Sequence, residues 1–153
     1  MRSKSEHILL AANVNPRTGL ATDYLNLFNE AIMLFELALD MPDMAEDLAD
    51  WKTRGYVEHF EQSGFELKDV VIAAYHQASA EVREDFDAAV HEALTAFDSS
   101  IHILLSSNIA EARPDLEARL ATMKGLVAEL DAHIHGRAQA MAVDRQDEVD
   151  ALF

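Results

Sequence analysis

The chain contains no cysteine. That excludes thiol catalysis, sulfur-ligated zinc and a disulfide framework, and it fits a reducing, cytoplasmic setting. Backbone breakers are sparse, with five glycines and three prolines in 153 residues, so long stretches are free to be helical. Cations are also scarce: 12 Lys and Arg stand against 28 Asp and Glu, a formal net charge of −16. The few basic residues form no run or stripe, and such a surface repels nucleic-acid phosphates and anionic membranes. No apolar stretch reaches the roughly 20 residues that span a bilayer. The N-terminal Ile8 to Ala12 run is interrupted upstream by Glu6 and His7, too short and too charged for an export signal. The partners left open are proteins, small ligands or cations.

What is present is apolar periodicity. Tyr24, Leu27, Phe28, Ala31, Ile32, Leu34, Phe35 and Ala38 recur at three- and four-residue steps, predicting a long helix from Thr18 or Thr22 to Leu39. Leu25, Met33 and Leu37 lie off that stripe and imply burial on more than one side. Shorter helices are expected over Ser5–Ala12 and from Pro42 to about Thr53. Others are expected over Tyr56–Ser63, capped by Gly64, and over Leu67–Ala78. Ser79 is placed to cap a long helix from Ala80 to about Ser107. The last long helix is expected to open at Pro114 and close at Gly136.

The last helix carries Leu116, Leu120, Met123, Val127, Leu130 and Ile134 at heptad spacing, and its predecessor answers with Val82, Phe86, Ala89, Ala93, Phe97, Ile101 and Leu104. These two define an antiparallel hairpin joined through Asn108 to Arg113. A bare hairpin of that length needs cover, either from the N-terminal helices or from a second copy in a homodimer. The fold expected is therefore all-α: a helical bundle over residues 1–136 built on this hairpin. A linker and a free amphipathic tail follow over 137–153.

Candidate chemistry is thin. No histidine has an acid three residues before it, no His-x-x-x-His pair exists, and His133 and His135 point to different sides of a helix. These spacings offer no metal site, and no cofactor is implied. Asp87 with His91 and Asp98 with His102 sit one turn apart and are read as ion pairs on a solvated face. Trp51, Tyr75 and His76 read as packing residues with polar tips. Asp23, Asn26 and Glu30 follow one edge of the first apolar stripe, where polar groups are usually half-buried in an inter-helix network.

Two acid/amide pairs, Glu58 with Gln62 and Asp23 with Asn26, are the weak candidates for catalysis. A carboxylate beside an amide resembles what response-regulator phosphatases present to an aspartyl phosphate, where the amide orients the attacking water. The Asp-x-x-x-Gln motif of the chemotaxis phosphatase is absent, since no Asp here has Gln four residues later.

The strongest lead is the end of the chain, Gln146-Asp147-Glu148-Val149-Asp150-Ala151-Leu152-Phe153. It resembles the response-regulator-binding peptide of the flagellar switch protein, and is similar to the C-terminal helix of the chemotaxis phosphatase. The resemblance covers these eight residues and departs at Arg145, where the switch peptide usually has Ser. It implies a receiver-domain partner held by Gln146, Val149, Asp150, Leu152 and Phe153. Independently of any family, a helix here would gather Val149, Leu152 and Phe153 within an arc of about 100°, the anchor pattern of a helix that lies in a groove. The alternative is docking on the protein's own core or on a subunit neighbour. The function expected is a non-enzymatic adaptor or regulator in two-component or motility signalling. A response-regulator phosphatase and a structural or ligand-binding bundle are the alternatives.

Overall fold

A computed structural model describes residues 3–137, and these are all-α apart from one two-residue hairpin. The proposed tail anchors and the linker beyond Arg137 lie outside the described residues. Helix α1 (Lys4–Ala11) leads into strands β1 (Val14–Asn15) and β2 (Leu20–Ala21), paired antiparallel with Val14 opposite Ala21. A 3-10 turn over Thr22–Tyr24 starts α2 (Leu25–Asp40), and a 3-10 segment covers Pro42–Asp50. Helices α3 (Tyr56–Glu61), α4 (Lys68–Gln77), α5 (Ala80–Ser106) and α6 (Ile109–Ile134) follow.

The α5/α6 hairpin forms as expected, with Phe86, Ala93, Phe97, Ile101 and Leu104 of α5 buried beside Leu116, Leu120, Met123, Leu130 and Ile134 of α6. Val127 is only half-buried, and Leu126 takes its place in the core. A straight helix at 3.6 residues per turn drifts off a strict heptad, so the buried edge shifts by one position along α6. The cover comes from α2, which packs along α6 and also meets α5. Its stripe is buried from Tyr24 to Ala38, apart from half-buried Leu34, while Met33 is exposed.

Several expected boundaries move, the start of the first long helix among them: Thr18 lies in the turn of the β-hairpin and Thr22–Tyr24 is 3-10, so α2 begins at Leu25. Helix α6 starts at Ile109, with the Asn108 side chain accepting from the Glu111 N–H, so Pro114 lies in its second turn and the connection is only Ser107–Asn108. The proline forfeits the bond its own N–H would make to the Ala110 carbonyl, and Ala110 is exposed, where water can take over. The Pro42 helix is 3-10 rather than α and stops at Asp50. It buries Ala45 and Leu48, three apart, as that tighter period requires. Helix α3 ends at Glu61 with Gln62 as its cap, and Gly64 lacks the positive φ of a glycine stop. The stretch after α1 is not a plain loop, since Val14–Asn15 is the first arm of the β-hairpin.

That hairpin has a specific job. Gly19, at φ 78°, turns the chain back, and a Cβ there would come within 3.0 Å of the Ala74 carbonyl. Thr18 is buried, donates its hydroxyl to the Ile134 carbonyl at 2.6 Å, and accepts from the Leu20 N–H at 3.2 Å. It thus satisfies one of the carbonyls that a helix end leaves open, while Gly136 at φ 75° closes α6 as expected. At the other end of α6, Arg113 donates to the Leu39 carbonyl and to Asp40, tying α2 down. Thr18→Val should cost about 1–3 kcal/mol in denaturant unfolding, because it leaves the buried Ile134 carbonyl without its donor. Thr18→Ser should restore most of that stability. A loss under about 0.5 kcal/mol for Thr18→Val would contradict the latch.

Candidate functional site

Helix α3 is the hub around which the polar candidates gather. It is held from inside by Tyr56, whose buried ring lies 5.0 Å from Phe60, 5.3 Å from Tyr24 and 5.4 Å from Phe86, mostly edge to face. The Tyr56 hydroxyl accepts from the Ala21 N–H at 2.8 Å, and the Tyr24 hydroxyl donates to the Arg54 carbonyl at 2.6 Å. Burial raises both phenols far above their ordinary value, so they act here as neutral hydrogen-bonding groups. Trp51 lies on the extended stretch before α3, and its indole N–H donates to the Leu27 carbonyl of α2 at 2.8 Å. It is a packing residue with a polar tip, as its type suggests, though not on a helix.

The acid/amide pairs behave differently. Glu58 and Gln62 do come together on the exposed face of α3, the amide donating to the carboxylate at 3.3 Å. The Arg54 guanidinium reaches the Gln62 oxygen at 3.5 Å. Asp23 and Asn26 do not pair. Asp23 is half-buried and accepts from the Asn13 side chain at 3.2 Å, while Asn26 and Glu30 are exposed, so among the described residues no inter-helix network runs along that edge.

The two acid/histidine pairs of α5 also depart from expectation, because neither closes an ion pair among the described residues. Asp87 instead accepts from the Tyr75 hydroxyl of α4, which lies 2.9 and 2.7 Å from its two oxygens. Burial, then this bond and the Asp87 charge, push the Tyr75 phenol up to about 12, which makes it a donor and not a base at neutral pH. This couple borders an open groove of about 370 Å³ between α3 and α5, whose lining includes Tyr56, Val57, Glu58, Val90 and Leu94. His133 and His59 each bury an Nδ1 with no hydrogen-bond partner among the described residues. Among the described residues no group of three or more metal-ligating side chains converges.

A second cleft, of about 340 Å³, has Gln62 in its lining. Glu30 of α2, Asp47 and Asp50 of the 3-10 segment, and Trp51, Lys52 and Arg54 of the extended stretch line it together with Gln62. Apart from Glu30 and Gln62, sequence reading missed this group as a site. The only trace of it was the three-residue step from Asp47 to Asp50, which a 3-10 turn places on one side.

Comparison with protein-family models, with curated proteins and with solved structures finds no match to this chain. No helix of the described residues is long and apolar enough to cross a membrane.

His59 supplies a pH test. Its ring packs 5.5 Å from Tyr24, and burial, reinforced by the Arg54 charge and opposed by Asp23, lowers its pKa from the ordinary 6.5. A depressed pKa means that folding favours the neutral ring. Its contribution is present above pH 6.5 and is lost as the pH falls through the lowered value. Between about pH 7 and pH 5 the unfolding midpoint of a His59→Phe protein should therefore fall less than that of the parent. An identical pH slope in the two proteins would contradict this.

Proposed function

We propose that this protein is a non-enzymatic adaptor whose helical bundle carries a C-terminal docking segment, Gln146–Phe153, for a receiver-domain response regulator. The residues of that segment carry the choice of partner. Val149, Leu152 and Phe153 are the apolar anchors, Gln146 and Asp150 the polar ones. The observation that favours an adaptor over an enzyme is the internal engagement of the acid/amide candidates. The Gln62 amide is turned onto Glu58 and its oxygen toward Arg54, and Asp23 is taken up by Asn13. A water-orienting amide has to face its substrate, and a pair closed on itself must first open. The acidic surface agrees with a protein partner and opposes a nucleic acid.

One titration separates this from the phosphatase reading. Receiver domains carrying a stable beryllofluoride mimic are titrated with the intact protein to measure binding, and the same domains charged with an aspartyl phosphate are followed for phosphate release. Leu152→Ala and Phe153→Ala should each weaken binding by about 1–3 kcal/mol, the scale of apolar anchors in a small groove. Neither the parent protein nor Gln62→Ala should change the lifetime of the phosphate. Acceleration by the parent that Gln62→Ala abolishes would replace the adaptor with the enzyme. Binding indifferent to both tail substitutions would remove the docking segment.

A further inference from the structure

We propose that the cleft between α2, the 3-10 segment and α3 binds a small zwitterion of the amino-acid class, one ammonium and one carboxylate on the same molecule. Its lining holds charges of both signs that do not neutralise each other. Glu30, Asp47 and Asp50 supply three carboxylates, Lys52 and Arg54 two cations. Among the described residues none of these five takes part in an ion pair within 4.0 Å. Arg54 is the more telling case. In a chain of net charge −16 its guanidinium meets, among the described residues, no carboxylate at that distance and only the Gln62 amide oxygen, at 3.5 Å. A guanidinium has five N–H donors in a planar fork suited to a carboxylate, so most of its capacity is unspent.

The surrounding field then selects the ligand. An anion alone is repelled by the acidic surface, and a cation alone leaves Arg54 unused. The three carboxylates do not converge into a metal-binding group among the described residues, and an organic ammonium, which needs only one or two carboxylates within hydrogen-bond reach, suits them better. A molecule carrying both charges places its ammonium on the acidic wall and its carboxylate on Arg54 and Gln62. The size agrees, since about 340 Å³ falls at the small end of ligand pockets. Two parts of the wall are also fixed in advance. The Trp51 indole is tied to the Leu27 carbonyl, and the Arg54 backbone is held by the Tyr24 hydroxyl. A ligand there pays little to order them.

The test uses the intact protein and its single tryptophan, Trp51, which sits in the cleft wall. Trp51 emission and the heat of binding are followed while a panel of neutral α-amino acids is added, with acetate and ethylammonium as single-charge controls. At least one amino acid should bind saturably with a dissociation constant of about 1 mM or lower, and neither control should bind comparably. Arg54→Gln and Asp50→Asn should each weaken that binding about ten-fold or more, with the unfolding midpoint unchanged. Three results would overturn the site: no saturable binding of any amino acid, equal binding of ethylammonium or acetate, or binding that ignores both substitutions.

Discussion

One constraint organises the molecule: the apolar seam of α6 is too broad for α5 alone to bury. Leu116, Leu120, Met123, Leu126, Leu130 and Ile134 all lie in the core, and Val127 adds a half-buried edge. Each fully buried Leu or Ile is worth about 1.5–3 kcal/mol in area removed from water, whereas an exposed ion pair contributes about 0–1. Burial therefore dictates that α2 lies against the hairpin, and the polar contacts only fix where. Arg113 holds the end of α2 beside the start of α6, and Thr18 closes the far end of α6. Phe28 of α2 meets Phe97 of α5 edge to face at 5.1 Å, so the third helix is keyed into the pair and not merely laid on it.

The polar features follow from that placement. With α2 fixed across the hairpin, the chain from Met41 to Gly55 has to return over its surface. It does so as a 3-10 segment and an extended stretch, turning Ala45 and Leu48 inward and Asp47, Asp50 and Lys52 outward. Helix α3 then docks through Tyr56 and Phe60, which leaves Glu58 and Gln62 exposed between a polar cleft and a more apolar groove. Neither depression is a flaw in packing. Each forms where a short, tethered segment meets a long helix whose buried face is already committed.

The parts of the fold legible in the sequence were those with a repeating period. The stripes through Phe28, Phe35, Leu116 and Leu130 predict the long helices and their hairpin, leaving open whether the N-terminal helices or a second copy covers it, and Ser79 and Gly136 mark true helix ends. The hairpin of Val14–Asn15 with Leu20–Ala21 was not legible, because two-residue strands have no period to detect. Pro114 misled because proline favours a first turn, while Asn108 six residues earlier was the better cap. At the site, the turn from Glu58 to Gln62 was readable as i, i+4 spacing. That Tyr75 would claim Asp87, or that Arg54 would arrive beside Gln62, depends on neighbours brought in by tertiary packing, and spacing along one helix carries no trace of them.

Native-state amide hydrogen exchange, read residue by residue at two protein concentrations, tests the central claim most directly. If α2 completes the core within one chain, the buried amides of α2 around Phe28 and Phe35 should open together with those of α5 around Phe97 and of α6 around Met123 and Leu130. All should share the highest protection, and none should change with concentration. Protection confined to α5 and α6, with α2 exchanging far faster, would contradict the account. So would seam protection that grows with concentration, since a second copy would then be supplying the cover assigned here to α2.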